Sequence, residues 1–406
     1  YKRKKLITQK KKLLLISYCV PPEPYPESYV SAKIINKLSH YFEIDVLTSY
    51  MKKGPLIKDF SLNDYFGKNI NITYVAPPKL SELFIKIPRF PIRPDRWVLL
   101  YFSMIKKLKS MDLLKYDYFF TRSQFHSAHL IGLFLKKNFP KKKWITSFSD
   151  PWSSNSYQSK VPIFDSISSL IEKRVLNKSD LLIFPLVKLK DHFIGNSNNS
   201  LNKKSLIIPH TIDLSLYPNK LKKNKYFTIR FFGKIYGDRN VIPFFNALKV
   251  ILKTNKNVRV EFYSRKEKIF DYLSSDFSLQ KYVSFKPYSD YLEALKLMKS
   301  TDLLLIFDSS VDENSVFFQS KVLDYIGSKS RILHIGNFKT LNKILTTKSN
   351  GLTSDNELNS ILTKLNEAIY KKNSFKHNSS LINKYDSKKI ANELYNKIIS
   401  LDKSND

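Results

Sequence analysis

Residues 226–240 read "YFTIRFFGKIYGDRN", an apolar stretch that ends at a glycine and continues into a basic loop. The stretch up to residue 232 is typical of a β-strand. Gly233 follows at once, and Lys234 and Arg239 stand close behind it. The chain contains only nine glycines, so a glycine at this point indicates a requirement of the backbone. The stretch therefore predicts a strand that leads into a loop with two cations.

The strand pattern recurs downstream with helical patterns between the strands. The first of these helices is "VIPFFNALKVILK" (241–253), and further strand-like runs follow at 258–264, 282–288, 302–309 and 331–336. Strands that alternate with helices favour a parallel sheet covered on both faces. The second half of the chain is therefore predicted to be an α/β domain.

The first half of the chain shows the same alternation. Residues 27–40 place apolar side chains on one helical face. The polar, basic stretch 217–226 is typical of a linker, and the last amphipathic run, 387–401, fits either half. Strand-like runs in the first half cover 11–18, 42–49, 71–76, 116–123, 143–150, 179–186 and 204–210. We therefore expect two α/β domains, which is the number that a chain of 406 residues favours.

The composition narrows the setting in which the protein works. With 69 Lys and Arg against 35 Asp and Glu, the formal charge is +34, which predicts a polyanionic partner: nucleic acid or an anionic membrane face. The abundance of lysine throughout the chain inflates this number. The single Cys19 excludes an internal disulfide framework and a cysteine-built zinc site. Apolar runs are too short for a membrane span, and the basic N-terminal stretch lacks a cleavage site, so we expect a cytoplasmic protein.

Ligands of open parallel sheets bind beyond the carboxyl ends of the strands. Five loops at predicted strand ends therefore matter: "CVPPEPYPES" (19–28), "SFSDPW" (147–152), "IPHTID" (208–213), "GKIYGDR" (233–239) and "DSSVDENSVFFQSKVLDY" (308–325). Two domains that present such loops toward each other would enclose a cleft.

The order of these segments resembles the GT-B glycosyltransferases, and among them the retaining family-4 group that uses nucleotide-diphosphate sugars. The likeness covers nearly all of the chain and includes "PPEP" (21–24), "SDPW" (149–152), "EKRVLNKSDLLI" (172–183), "IPHTID" (208–213), "FFGKIYGDR" (231–239) and "QSKVLDYIGS" (319–328). The resemblance implies an α/β fold of two Rossmann-like, doubly wound domains that face a central cleft. It assigns residues 1–216 to the acceptor and 217–386 to the nucleotide sugar, with a C-terminal helix in 387–406 that can cross back to the N-terminal domain.

The resemblance also implies how the donor is bound. A sugar nucleotide carries a diphosphate whose negative charge grows as the glycosidic bond breaks, so neutralising that charge stabilises the transition state. Lys234 and Arg239 match the catalytic basic pair that binds the diphosphate, and Gly233 lets the backbone approach it. The alternative is that both side chains are ordinary surface cations of a lysine-rich chain.

The helix predicted after residue 315 supplies the rest of the donor site in this resemblance. Asp324 matches a carboxylate, usually Glu in the family, that accepts hydrogen bonds from the ribose hydroxyls. Lys321 adds charge at the phosphates, or else forms a surface salt bridge within the helix. Val316, Phe317 and Phe318 belong to the segment that opens the helix, whose N–H groups would face the diphosphate.

One departure from the family pattern falls in the same segment. The family often places a second Glu where this chain has Val316. Glu313 and Asp312, just upstream, are the carboxylates that can replace it.

The first domain is expected to hold the acceptor. Asp150 is the third catalytic candidate, as the carboxylate that contacts the transferred sugar or the acceptor hydroxyl. The alternative is a carboxylate that caps a helix or turn at Pro151. Ser149 stands where many relatives carry His or Arg, and the proline-rich first loop with Pro22 and Glu23 is expected to shape the acceptor or sugar pocket.

The resemblance implies front-face attack, in which the departing phosphate takes the acceptor proton. No residues have metal-ligand spacing, so we expect an enzyme without metal or cofactor. The predicted reaction transfers a sugar to a lipid-linked precursor of a bacterial capsule, O-antigen or exopolysaccharide. Two alternatives stay open: a GT-B nucleotide-sugar epimerase, and a basic nucleic-acid-binding protein, against which the lack of a recognition motif argues.

A membrane surface is the partner that we expect for the basic charge. Residues 84–102, "FIKIPRFPIRPDRWVLLYF", mix Arg89, Arg93 and Arg96 with aromatic residues such as Trp97. Such a mixture suits the headgroup region of an anionic leaflet. The alternative is a loop whose aromatic rings pack on the domain core.

Overall fold

The computed structural model describes most of the chain. The described residues are 10–50, 57–81, 92–153, 161–195, 197–221, 224–235, 239–264, 273, 275–308, 319–347, 351–371, 375 and 377–403. They divide into two compact units: the first contains the residues up to Thr211 and those from Ser387 onward, and the second runs from Ile212 to Asp386.

Unit 1 is built on a seven-stranded sheet in which every adjacent pair is parallel. Its strands are β1 (Lys12–Ser17), β2 (Glu43–Ser49), β3 (Ile70–Val75), β4 (Tyr118–Arg122), β5 (Lys143–Ser147), β6 (Leu181–Phe184) and β7 (Ser205–Ile207), in the order β3-β2-β1-β4-β5-β6-β7. Its first helices are α1 (Pro26–Leu38), α2 (Leu100–Lys109), α3 (Ala128–Asn138), α4 (Pro162–Lys178), α5 (Val187–Ile194) and α6 (Asn199–Lys203).

The central strands of unit 1 are buried on both faces. Leu14 and Ile16 belong to one apolar core, whereas Leu13 and Leu15 belong to the other. This alternation follows from the two-residue period of a strand, and it explains why β1 is a continuous apolar run.

Unit 2 repeats the design with six parallel strands. These are β8 (Phe227–Phe232), β9 (Val258–Tyr263), β10 (Val283–Lys286), β11 (Leu303–Phe307), β12 (Arg331–Ile335) and β13 (Gly351–Ser354), in the order β10-β9-β8-β11-β12-β13. Its helices are α7 (Ile242–Thr254), α8 (Phe277–Gln280), α9 (Tyr291–Lys299), α10 (Lys321–Ser328), α11 (Lys339–Thr347), α12 (Leu358–Tyr370) and α13 (Ser380–Lys384).

Local sequence signals fix the starts of two helices that matter below. Helix α9 begins after Asp290, whose carboxylate accepts a hydrogen bond from the Glu293 amide at 2.8 Å and so caps the helix. Helix α4 begins at Pro162, and the Asp165 carboxylate accepts a hydrogen bond from the Val161 amide at 2.7 Å.

Helix α14 (Ser387–Ser400), the C-terminal helix, packs in unit 1. It contacts α1, and the ring of Tyr395 stacks on that of Tyr41 with centroids 4.5 Å apart. Beyond the helix, Asp402 pairs with Lys11, beside the first strand. The C-terminal segment is thus held by aromatic and ionic contacts with the N-terminal part of the chain.

Both sheets reverse their strand order beside the first strand of the unit, as doubly wound sheets do. This confirms the predicted α/β class. The chain divides after Thr211, whereas the sequence pattern places the domain limit after residue 216. The reason is that Ile212 bridges Asp386 and that the Tyr217 hydroxyl donates to the Asp324 carbonyl at 2.7 Å, both within unit 2. No helix in the described ranges is both long and apolar enough to cross a bilayer.

Candidate functional site

The strand order of unit 2 reverses between β8 and β11, which places a crevice beyond their carboxyl ends. Gly233 directly follows β8, and Asp308 directly follows β11. The loop predicted to bind the donor therefore starts where the topology favours a ligand site.

Gly233 has a backbone conformation that side chains rarely adopt, with φ of 126°. Its amide donates to the Tyr263 carbonyl at 3.0 Å, and the preceding Phe232 amide donates to the Tyr325 hydroxyl at 3.0 Å. These two hydrogen bonds fix the end of β8. A Cβ on Gly233 would lie 3.3 Å from Nζ of Lys321, so the glycine leaves room for that ammonium group.

Three of the predicted cations meet at this strand end. The Lys321 ammonium donates to the Phe232 carbonyl at 3.3 Å and lies 4.4 Å from the centroid of the Phe231 ring. The Arg239 guanidinium donates to the Lys234 carbonyl at 3.1 Å, while the Lys234 side chain is exposed. At this turn Lys321 is therefore partly buried, Lys234 is exposed, and Arg239 is hydrogen-bonded to the backbone of the loop.

The charges of this cluster act on one another. Burial lowers the pKa of the Lys321 ammonium well below its ordinary value, and the positive charge of Arg239 lowers it further. The Asp308 carboxylate opposes that shift. A group of cations that repel one another in this way favours an anionic ligand.

Asp324 lies on the buried side of α10 rather than on an open surface. Its carboxylate accepts a hydrogen bond from the Tyr291 hydroxyl at 2.9 Å. The surface salt bridge with Lys321, one alternative considered above, is not found, because Lys321 turns toward Phe232 instead. The ribose contact of Asp324 stays a prediction, and Tyr291 is a neighbour that the sequence did not indicate.

Four predicted donor residues lie outside the described residues: Glu313, Val316, Phe317 and Phe318. Helix α10 itself begins at Lys321, after Ser320. Lys321 thus stands in the first turn, where its backbone N–H has no partner within the helix.

A buried histidine paired with an aspartate near the carboxyl ends of β11 and β12 was not predicted from the sequence. His334 on β12 is fully buried, with Nδ1 2.6 Å from Oδ1 of Asn342 and Nε2 3.5 Å from Oδ2 of Asp308. Gly336 makes room for Asp308, since a Cβ there would lie 2.5 Å from the aspartate Cβ. The only signal in the sequence was an aspartate placed directly after an apolar strand.

Unit 1 has its own crevice where the strand order reverses between β1 and β4. Arg122 ends β4, and its guanidinium pairs with the Glu27 carboxylate in the first turn of α1, Nη2 to Oε1 2.9 Å. Both side chains are buried, and Arg122 also donates to the Ser31 hydroxyl at 3.4 Å. The sequence analysis included Glu27 only as part of the proline-rich loop 19–28 and assigned it no role.

A pocket opens beside this ion pair, lined by Glu27, Arg122, Ser147, Ser149, His210, Thr211 and apolar neighbours. Among the described residues, the Ser149 and Thr211 hydroxyls are buried without a hydrogen-bond partner. Burial lowers the pKa of His210 to about 3, so the ring is neutral. The pocket is therefore lined by a neutral imidazole, by serine and threonine residues and by the Glu27–Arg122 ion pair, a polar lining that suits a ligand rich in hydroxyl groups.

Asp150 lies next to Ser149 at the end of β5. Burial raises the pKa of its carboxyl group to about 6, and in the described part of the chain no donor meets its oxygens. Its negative charge adds to the burial that raises the pKa of Glu27 to about 7. The alternative that Asp150 caps a helix at Pro151 is wrong, because residues 151–153 are not helical.

The first loop is tied to the protein by both predicted residues. The Glu23 carboxylate forms a buried ion pair with Lys58, and the Pro22 carbonyl accepts a hydrogen bond from the Asp59 amide at 2.9 Å. Glu23 therefore braces the loop, and any contact of this loop with a substrate stays a prediction.

The membrane-facing role predicted for residues 84–102 is wrong for Trp97, which is buried in the core of unit 1. Arg93 pairs with Asp165 at 2.9 Å, and Arg96 lies 5.7 Å from the centroid of the Phe125 ring. Residues 84–91 lie outside the described ranges. Internal packing explains these side chains better than a membrane does.

In the ranges that the structure describes, no three His, Cys, Asp or Glu side chains are grouped so that they could hold a metal ion.

Comparison with known proteins identifies the fold. No family model matches the chain, and no curated protein matches its sequence. Among solved structures, the chain is similar to sucrose-phosphate synthase from Thermosynechococcus elongatus, with a TM-score of 0.65, 12% identity, and coverage of 96% of this chain and 100% of that one. It is equally similar to a putative UDP-N-acetylglucosamine 2-epimerase from Listeria monocytogenes, with a TM-score of 0.65, 11% identity and 98% coverage of both chains.

A third similar structure is Anabaena HepE in complex with UDP and glucose. Its TM-score is 0.62 at 12% identity, over 96% of this chain and 100% of that one. These similarities span both units and confirm the predicted GT-B fold. At such low identities they establish the fold alone, and membership of family 4 stays a prediction.

Proposed function

We propose that this protein is a glycosyltransferase that moves a sugar from a nucleotide-diphosphate donor to a glycan acceptor, with retention. The observation that carries the proposal is the turn at Gly233, where Lys321 and Arg239 meet the end of β8 at the switch point of unit 2. Glycosyltransferases among the similar structures support it, as does the UDP in the HepE structure.

The donor diphosphate binds at this turn in our proposal. Without a Cβ at Gly233, phosphate oxygens can approach the backbone, as they do in other nucleotide-binding folds. Lys234 and Arg239 neutralise the charge that the leaving group gains, and the bound anion restores the full positive charge of Lys321. Cations that are already in place cost no reorganisation during the reaction, so they stabilise the transition state.

Asp324 binds the ribose in this proposal. Its carboxylate has two oxygens and can accept from the Tyr291 hydroxyl and from a ribose hydroxyl together. The departing diphosphate takes the proton of the acceptor hydroxyl, so no separate base is required.

The pocket of unit 1 binds the acceptor. Asp150, which directly follows the pocket-lining Ser149, accepts a hydrogen bond from a sugar or acceptor hydroxyl in this proposal. Arg122 and Glu27 form the rigid floor of the pocket. The formal charge of +34 supports a lipid-linked precursor of a bacterial surface polysaccharide, handled on the cytoplasmic face of the membrane.

One observation favours a second candidate, a nucleotide-sugar epimerase. Glu27 and Asp150 both lie beyond the carboxyl ends of strands in the unit 1 sheet, and their pKa values are about 7 and about 6. Carboxyl groups with pKa values near neutral pH are suited to proton transfer. The similarity to the putative Listeria epimerase points the same way.

A panel of nucleotide-diphosphate sugars separates these candidates. The pure protein is incubated with each donor, alone and with lipid-linked oligosaccharide precursors, and the products are read by mass spectrometry and proton NMR. A transferase releases the nucleoside diphosphate and retains the anomeric configuration in its product. Conversion of a donor into its epimer, without acceptor or nucleotide release, would favour the second candidate. If no donor is consumed or bound, both candidates fail.

A further inference from the structure

Helix α4 of unit 1 exposes an unusual row of large apolar side chains. Ile163 is 75% exposed, Phe164 48%, Ile167 47% and Leu170 67%. Their spacing places them on one side of the helix. A contiguous apolar surface of this kind on a folded unit indicates an interaction site.

The helix cannot turn this row inward, because its opposite side is already fixed. Val175 and Leu176 are buried in the core of unit 1, and the Ser168 hydroxyl accepts a hydrogen bond from the Trp152 indole at 2.9 Å. The pair of Arg93 with Asp165, described above, holds the first turn. The apolar row is therefore a fixed feature of the folded unit.

Two positively charged side chains lie on the same side of the helix, beyond the apolar row. Arg174 follows Leu170 by four residues and Lys178 follows Arg174 by four, and both are exposed. The acidic residues of α4 are engaged elsewhere: Asp165 with Arg93, and Glu172 as acceptor of the Ser153 amide at 2.8 Å. The surface is thus apolar in its first half and cationic in its second.

We propose that the exposed side of α4, formed by Ile163, Phe164, Ile167, Leu170, Arg174 and Lys178, docks the protein on an anionic lipid surface. The apolar side chains enter the boundary between headgroups and acyl chains, and the two cations contact lipid phosphates. The choice of this partner rests on charge complementarity, since the whole chain carries +34 and a second copy would bring cations against cations.

This inference deepens the proposed function and rests on it. A lipid-linked acceptor is reached from the membrane surface, and α4 follows the Asp150 loop in the same unit. It also moves the docking element from the proline-rich stretch to α4, because Trp97 and Arg93 are committed to internal contacts.

Vesicle binding tests the proposal on the full chain. We expect the wild type to sediment with vesicles of phosphatidylglycerol and phosphatidylcholine at low salt, and to be released by about 0.5 M salt because ions screen the attraction. The triple variant Ile163→Glu, Ile167→Glu, Leu170→Glu should bind at least about tenfold more weakly, since it places charge where apolar side chains enter the lipid. The double variant Arg174→Glu, Lys178→Glu should bind the anionic vesicles about fivefold or more weakly for each reversed charge.

Phe277→Glu provides the matched control, because this side chain is 89% exposed but belongs to unit 2. It should leave vesicle binding unchanged, and circular dichroism should show all variants folded. Binding of a nucleoside diphosphate, measured by calorimetry on the same proteins, separates this proposal from the proposed function. Vesicle binding without nucleotide binding would contradict the function alone.

Two results overturn the docking proposal itself. One is a folded triple variant that binds anionic vesicles as well as the wild type does. The other is a wild type that ignores these vesicles and forms a dimer in light scattering that the triple variant cannot form, because the row would then cover a second copy.

Discussion

The ammonium nitrogen of Lys321 lies 3.3 Å from the point where a side chain on Gly233 would place its Cβ. The glycine and the lysine therefore share one small space at the end of β8. The φ of 126° at Gly233 favours glycine here, and a Cβ would in addition oblige the Lys321 ammonium group to shift by a few tenths of an ångström. The proposed diphosphate site depends on this shared space.

Replacing Gly233 with alanine tests that relationship. We expect Gly233→Ala to cost about 1–2 kcal/mol in the free energy of unfolding, because of the left-handed backbone, and to weaken nucleoside diphosphate binding by roughly tenfold or more. Denaturant unfolding and calorimetry measure the two effects. Gly195→Ala is the control, because φ is also positive at Gly195, at 68°, but a Cβ there meets nothing within 4 Å. Equal affinity in both variants and the wild type would remove Gly233 from the site.

Asp324 and Tyr291 can be separated by mutation. Asp324→Ala should weaken nucleoside diphosphate binding by about 1.5–3 kcal/mol, the range for a hydrogen bond to a charged group. Tyr291→Phe removes only the hydroxyl that donates to Asp324 at 2.9 Å, and it should leave affinity nearly unchanged. If both variants lose stability and neither loses affinity, Asp324 serves the packing of α9 and α10.

The Asp150 carboxylate should give turnover a pH dependence. Burial raises its pKa to about 6, so the charged form, which accepts a substrate hydrogen bond in our proposal, is lost as the pH falls below that value. Wild-type turnover should decline through pH 6, whereas Asp150→Asn should be slow and flat with pH. A variant that retains the acidic decline would assign it to another group.

The same shift has a consequence for stability with the opposite trend. Because the folded state binds this proton more tightly than the unfolded chain, Asp150 adds stability below about pH 4, and this is lost as the pH rises to about 6. Compared with Asp150→Asn, the wild type should lose about 1–3 kcal/mol across this window. If the stabilities of the wild type and of Asp150→Asn change in parallel between about pH 4 and about pH 6, the carboxylate is not buried.

Chelation tests the role of the cations. Lys234, Arg239 and Lys321 supply positive charge at the proposed diphosphate site, so transfer should survive incubation with EDTA at nearly its full rate. Activity that disappears with EDTA and returns with Mg²⁺ or Mn²⁺ would show that these side chains are insufficient.

Much of the fold follows from the sequence because it depends on local periodicity. The apolar run predicted at 302–309 contains β11 (Leu303–Phe307), which is buried along its whole length, and each predicted run overlaps an observed strand. Strand β13 was missed because "GLTS" (351–354) is short and carries one large apolar residue. Periodicity also could not distinguish a core tryptophan from a surface one, which is why Trp97 was misassigned.

The candidate site was harder to predict because its pairs join distant parts of the chain. Glu27 and Arg122 are far apart in sequence and meet only because β4 lies beside β1. In the same way, β12 brings His334 to Asp308. Residues that directly follow a strand, such as Gly233, could be predicted because the rule for strand ends needs no knowledge of partners.

The central claim is that the turn at Gly233 binds the diphosphate of a nucleotide sugar. Calorimetric titration with UDP, GDP and ADP, repeated on the Lys234→Ala, Arg239→Ala double variant, tests it most directly. A matched double variant, Lys253→Ala and Lys256→Ala, removes two cations at and just beyond the end of α7, outside the proposed site.

We expect the wild type and the matched variant to bind at least one nucleoside diphosphate. The Lys234→Ala, Arg239→Ala variant should bind that nucleoside diphosphate more weakly. Its turnover of the corresponding sugar donor should fall roughly 100-fold, which is the effect of removing a preorganised electrostatic contact. A folded Lys234, Arg239 variant with wild-type affinity and turnover would contradict the account.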